Sequence, residues 1–92
     1  MSNIPIDLKC VNADQLDREI LRAAIIAELD AINLYEQMAA MTEDHKIRHI
    51  LLDVAKEEKT HVGEFQTLLL LVDPEQNEEL EEGRKEVEEE LG

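Results

Sequence analysis

From about residue 14 to residue 72 the chain places its apolar residues in steps of four and three, almost without interruption. Only an α-helix keeps residues so spaced on one stripe, so this pattern alone excludes a sheet protein. The first stretch, about Asp14 to Met41, carries two such seams. One is Ile20, Ala24, Ala27, Ala31, Leu34, Met38 and Met41, and the other is Leu21, Ile25, Glu28, Ile32, Tyr35 and Ala39. The second stretch, about Glu43 to Val72, carries Ile47, Leu51, Val54, Glu58, His61, Phe65, Leu68 and Val72. Each stretch makes a helix roughly 40 Å long. With almost nothing between them, two such helices fold back as an antiparallel hairpin or lie end to end. Their two-sided apolarity favours the hairpin.

The boundaries are written in local chemistry. Pro5 rules out helix at the start, so residues 1–13 read as an N-terminal arm. Asn12 with Gln15 resembles a capping box opening the first helix. Thr42 is the expected break and N-cap, with Glu43 and Asp44 favoured in the first turn of the second helix. Asp73-Pro74 ends that helix and starts another, because Asp caps well and Pro is tolerated at the first helical position. The tail, residues 73–92, reads as a short acidic helix interrupted at Gly83 and facing solvent. The fold class is therefore all-α. It is an antiparallel two-helix hairpin, residues 14–72, plus a short C-terminal helix. A 92-residue chain of long helices has little interior of its own, so self-association is the natural route to stability.

Charge narrows the partners. A formal net charge of −14 disfavours nucleic acid and anionic membrane surfaces, which need Lys and Arg. It suits metal cations. The longest apolar run, Leu68 to Val72, is far too short to span a membrane. Met1 to Lys9 has no apolar core of a secretory signal. Cys10 is the single cysteine, so no disulfide forms within the chain, as suits a reducing cytoplasm.

The chemistry lies in the exceptions to the seams. Glu28 is the only charged member of either seam in the first helix. Glu58 and His61 alone are not apolar in the second, and three residues apart they lie side by side. Buried carboxylates are normally paired or metal-bound. Glu28 stands 14 positions before Thr42, and Glu58 and His61 stand 16 and 19 after it, so an antiparallel hairpin brings all three to a similar height. Glu…Glu-x-x-His is half the ligand set of ferritin-like di-iron bundles. Two copies related by a two-fold axis would supply four helices and six ligands, and would cover the second seam. Carboxylates with a minority of imidazole suit Fe(II), and Mn(II) could also bind. The bland alternative is a structural hairpin whose polar seam residues only set register.

Other groups have weaker claims. His45 and His49, with Asp44, could make a surface metal site but are more often solvated. Glu57 and Glu64 would stand at the mouth of the site or pair with Lys59 and Lys56. Gly63 costs about 1 kcal/mol in a helix interior and would permit close approach of a neighbouring helix.

The segments Ala24-Ile-Ile-Ala-Glu-Leu-Asp-Ala-Ile-Asn-Leu-Tyr-Glu-Gln-Met38 and Leu51-Leu-Asp-Val-Ala-Lys-Glu-Glu-Lys-Thr-His-Val-Gly-Glu-Phe65 resemble the encapsulated ferritins. The resemblance implies a ferroxidase whose hairpins dimerise around a di-iron centre. It implies a ring-shaped decamer inside an encapsulin shell, hence a cytoplasmic nanocompartment that stores iron. It puts the iron ligands on Glu28, Glu58 and His61, and a tyrosine near the site on Tyr35. Leu34 stands where many members have Trp, and Ala27 and Asp30 stand where some have the glutamates of a metal-entry site. The usual small apolar shell-targeting tail is replaced by Glu-Glu-Glu-Leu-Gly, which implies a shortened chain or a domain fused ahead of the shell protein. A non-catalytic iron or manganese binder remains the alternative.

Overall fold

The computed structural model describes residues 13–92, with side-chain surroundings from residue 15 onward. Three helices follow one another: α1 (Ala13–Met41), α2 (His45–Val72) and α3 (Pro74–Leu91), with no strand among the described residues. The arm, Cys10 and the Asn12 half of the expected capping box lie outside them.

The turn differs from the sequence reading. Asp44, not Thr42, is the N-cap of α2, and Glu43 lies outside the helix. The Asp44 carboxylate accepts from the backbone of Lys46 and Ile47 at 2.8 and 3.1 Å, while the Thr42 hydroxyl accepts the Asp44 N–H at 3.2 Å. A carboxylate at the positive end of a helix dipole outcompetes a neutral hydroxyl. α1 has no basic residue in its last turn to answer its free carbonyls. Arg48, from the first turn of α2, donates to the Ala39 and Thr42 carbonyl oxygens instead and so closes the turn.

At the other end Asp73 serves both helices. Its N–H bonds the Leu69 carbonyl and ends α2, and its side chain accepts from Gln76 N and starts α3, with Pro74 in the first turn. Asp73 is also the one buried charged residue among those described. Arg22 of α1 donates to it at 2.8 Å. Gly83 does not interrupt α3. A Cβ there would meet nothing within 4 Å, and an exposed helix tolerates a glycine at about 1 kcal/mol.

Cross-hairpin partners establish the antiparallel register. Arg22 meets Asp73, Glu28 meets His61, Glu36 meets Lys59 and Ala39 meets Arg48. The numbers fall along α2 as they rise along α1. The hairpin's interior is thin: its buried apolar residues are Ile32, Ala39, Ala55 and Leu69. Ile32 and Ala39 belong to the expected second seam of α1. Ala55 and Leu69 correct the reading of α2, where Ile47, Leu68 and Val72 of the expected stripe are exposed. Ala55 and Leu69 each stand one position after a member of that stripe, Val54 and Leu68, so the face turned to α1 is rotated from the expected one by about one residue.

At 3.6 residues per turn the hairpin has two distinct sides. Arg22, Glu36, Lys59 and Asp73 lie on one, joined as ion pairs. Ile20, Ala24, Ala31 and Leu34 of α1 lie on the other with Ile50, Val54, His61 and Leu68 of α2, and the large apolar side chains at both of its ends are exposed.

Candidate metal centre

The interior seams carry Glu28 and Glu58 toward each other, and His61 joins them from the next turn of α2. His61 Nδ1 lies 3.6 Å from Glu28 Oε2 and 3.5 Å from Glu58 Oε2. One donor atom from each of the three falls within 4.8 Å of the others, the single such group among the described residues. The Glu28 and Glu58 side chains are 20% and 19% exposed, and His61 is 44% exposed. The cluster is thus closed toward the hairpin interior and open on the apolar side.

Glu28 Oε2 is buried and has no hydrogen-bond partner. A buried carboxylate oxygen without a donor costs about 1–3 kcal/mol or more. A bound cation removes that cost. Two donors on one ion at about 2.1 Å each sit no more than about 4.2 Å apart, and the two measured separations satisfy this limit. Two carboxylates and one imidazole therefore fit a divalent cation of the Fe(II) or Mn(II) type.

The other sequence candidates separate from this group. Tyr35 is half-buried on the same seam as Glu28, about 10 Å farther along the axis, and no hydrogen bond or ion pair joins it to the cluster. The surface metal site at the start of α2 does not form. His45 turns to Arg48, His49 to Asp53 at 3.8 Å, and the Asp44 carboxylate is spent on the helix cap. Lys59 does not pair with Glu57 or Glu64. It reaches across the hairpin to Glu36 at 3.1 Å. Gly63 is exposed, and none of the described residues uses the room beside it.

Comparison with known proteins bears on the same segment. The family model described as Rubrerythrin matches residues 19–91. The chain is 69% identical over 74 residues to the ferritin-like-encapsulin shell fusion protein of Pyrococcus furiosus, covering 80% of this chain and 21% of that protein. It is 43% identical over 56 residues to the encapsulin nanocompartment cargo protein EncC of Myxococcus xanthus, covering 61% of this chain and 43% of that protein. The chain thus spans about a fifth of the first relative's length and less than half of the second's. Its fold is similar to the crystal structure of the encapsulated ferritin domain from Pyrococcus furiosus, with a TM-score of 0.83 at 56% identity. That match covers 95% of this chain and 94% of the other.

Proposed function

The chain belongs to the rubrerythrin family of ferritin-like proteins, and on that premise we propose that it is a ferroxidase, oxidising Fe(II) to Fe(III) with dioxygen at a di-iron site shared by two copies. The observation that carries this reading is the convergence of Glu28, Glu58 and His61 on one point, with Glu28 Oε2 buried and unanswered.

Iron, as substrate, supplies the electrons, one from each Fe(II) to dioxygen. The chain's own residues hold and orient it. Glu28 and Glu58 offer anionic oxygens that bind the ferrous and ferric states, and His61 offers a neutral nitrogen. Charge balance supports the shared site. One copy brings two carboxylates, enough to neutralise one divalent ion. Two ions need the four carboxylates of two copies, because uncompensated charge in a dry site is expensive. The second copy would also cover the apolar side, which exposes Ile20, Leu34, Ile50 and Leu68 around the cluster. Of the three, Glu58 is the residue that would hold both ions, and Tyr35 would offer a hydroxyl two turns farther along the seam of Glu28.

The names of the relatives support a further part of the reading. An encapsulin shell would receive the ferric product, placing the protein inside that nanocompartment; that the dimers close into a ring-shaped decamer is proposed from the resemblance to the encapsulated ferritins, not from those names. No described helix is long and apolar enough to cross a membrane.

The test is Fe(II)-dependent oxygen consumption across a range of protein concentrations, with sedimentation analysis with and without Fe(II). The specific rate should fall with the assembled fraction, and Fe(II) should favour assembly by mass action. Iron binding without oxygen uptake would instead make the protein a metal buffer. A monomer that oxidises iron at the full specific rate would refute the shared site.

A further inference from the structure

The third helix stands away from the hairpin. The molecule measures 46 × 43 × 18 Å. α1 and α2, with 29 and 28 residues, account for the first dimension at about 1.5 Å per residue. Two helices packed about 8–10 Å apart cannot supply the second, so α3 does. It buries no residue of its own. Exposure along its apolar stripe rises outward, from Leu80 at 41% through Val87 at 57% to Leu91 at 82%. Asp73 alone joins α2 to α3. It is buried and caps both helices, so α3 is held where it stands and cannot cover this stripe on its own hairpin.

α3 also carries nine glutamates against Arg84 and Lys85, a net −7 and half of the chain's −14. Along one edge of the stripe, Glu81 and Glu88 are taken by Arg84. Along the other, Glu86 and Glu90 stand beside Val87 and Leu91 with no ion pair among the described residues.

The opposite chemistry lies on the side of the hairpin that carries the ion pairs. Leu52, Lys56, Lys59 and Gly63 follow one another along α2 in steps of four, three and four, so they share that side. Leu52 is exposed. Lys59 is committed to Glu36, while Lys56 is exposed and has no ion pair among the described residues. A Cβ at Gly63 would meet nothing within 4 Å, and the same holds at Gly83 of α3, so each surface leaves room for another helix to come close.

One chain thus carries an acidic helix with an uncovered apolar stripe, and a face where an apolar residue stands beside an unpaired cation. It cannot join the two within itself. Two copies related by a two-fold axis join them reciprocally. We propose that residues 83–91 dock on the ion-paired side of α2 in a second copy, with Val87 and Leu91 on Leu52 and with Glu86 and Glu90 toward Lys56. This interface lies away from the apolar side on which the metal cluster opens, and it does not rest on the Fe(II) reading.

The test uses the full chain without iron, at low ionic strength, where charges are least screened. Lys56→Glu should lower the weight-average mass in sedimentation at a fixed protein concentration, and so should Glu86→Lys with Glu90→Lys. The three substitutions together should return the mass to the wild-type value, because the charges are then exchanged rather than lost. Val87→Asp with Leu91→Asp should lower it as well. An unchanged mass in either charge variant or in the aspartate variant overturns the proposal, and so does a triple variant that fails to recover. No substitution touches Glu28, Glu58 or His61, so failure here leaves the Fe(II) reading where it stood.

Discussion

The two sides of the hairpin are built from the same two helices and end in different states. One is tied across by Arg22–Asp73 at 2.8 Å and Lys59–Glu36 at 3.1 Å. On the other, the contact that crosses the hairpin is that of His61 with Glu28 at 3.6 Å, inside the metal cluster itself. That side leaves Ile20 and Leu68 on one flank of the Glu28, Glu58 and His61 cluster, and Leu34 and Ile50 on the other, 40–58% exposed. The paired side completes its chemistry within one chain. The apolar side does not: its buried carboxylate oxygen lacks a hydrogen-bond donor and its large side chains are exposed. The hairpin's own stability and its chemistry are thus assigned to opposite surfaces, so each can be perturbed alone.

The largest effect should come from the cluster. Glu58→Ala or His61→Ala should lower the rate of Fe(II)-dependent oxygen uptake by well over about tenfold, because loss of outer-shell partners alone costs about 10–100-fold in metal sites. Far-UV circular dichroism should show the helices intact, and a wild-type rate in either variant would dissolve the distinction between the sides. Next is a charge placed on the apolar side. Leu34→Asp should shift sedimentation toward monomer and lower the specific oxidation rate at dilute protein. The same change at Leu29, on the opposite side, should leave that rate as it was.

On the paired side the expected loss is stability. Arg22→Ala leaves the Asp73 carboxylate buried without its cation and should cost about 1–3 kcal/mol in urea unfolding, with the oxidation rate per folded molecule unchanged. Lys59→Ala breaks a half-exposed pair and should cost no more than about 1 kcal/mol. The smallest effect lies on α3. Arg84 donates to Glu81 and Glu88 and, chiefly through that hydrogen bond, holds the Glu81 carboxyl below its ordinary value. A lowered folded-state value means the pair contributes fully above the unfolded carboxyl's titration and is lost as pH falls through the folded one. Arg84→Ala should therefore raise the Glu81 midpoint in a carbon-detected NMR titration. With both groups exposed, global unfolding should barely change.

Much of this was legible because helices advertise themselves by period. The 4-and-3 spacing was enough to place α1 and α2. The interruption of apolar seams at Glu28, Glu58 and His61 marked the group that the fold then brings within 4.8 Å. The misreadings at the turn and on the paired side share an origin, which is that a linear pattern does not say which neighbour a polar group will find. Thr42 and Asp44 are both good caps, and only the path of the turn selects Asp44. Arg22 and Arg48 carry no signal along the sequence, and Lys59, expected beside Glu57 or Glu64, pairs elsewhere. Their partners are 51, 9 and 23 positions away, at Asp73, Ala39 and Glu36, and nothing local points there.

Sequence by itself determined that this chain is helical, where its helices end to within a few residues, and which three side chains interrupt its apolar seams. Those properties follow from backbone period, cap chemistry and the cost of burying charge, all of which act locally. Tertiary structure alone decided which side of the hairpin is tied and which is left open. That choice depends on the rotation of each helix about its axis. A turn of α2 by about one residue from the expected stripe puts Ala55 and Leu69 in the interior and Leu68 outside it, and spacing along a line does not specify that turn.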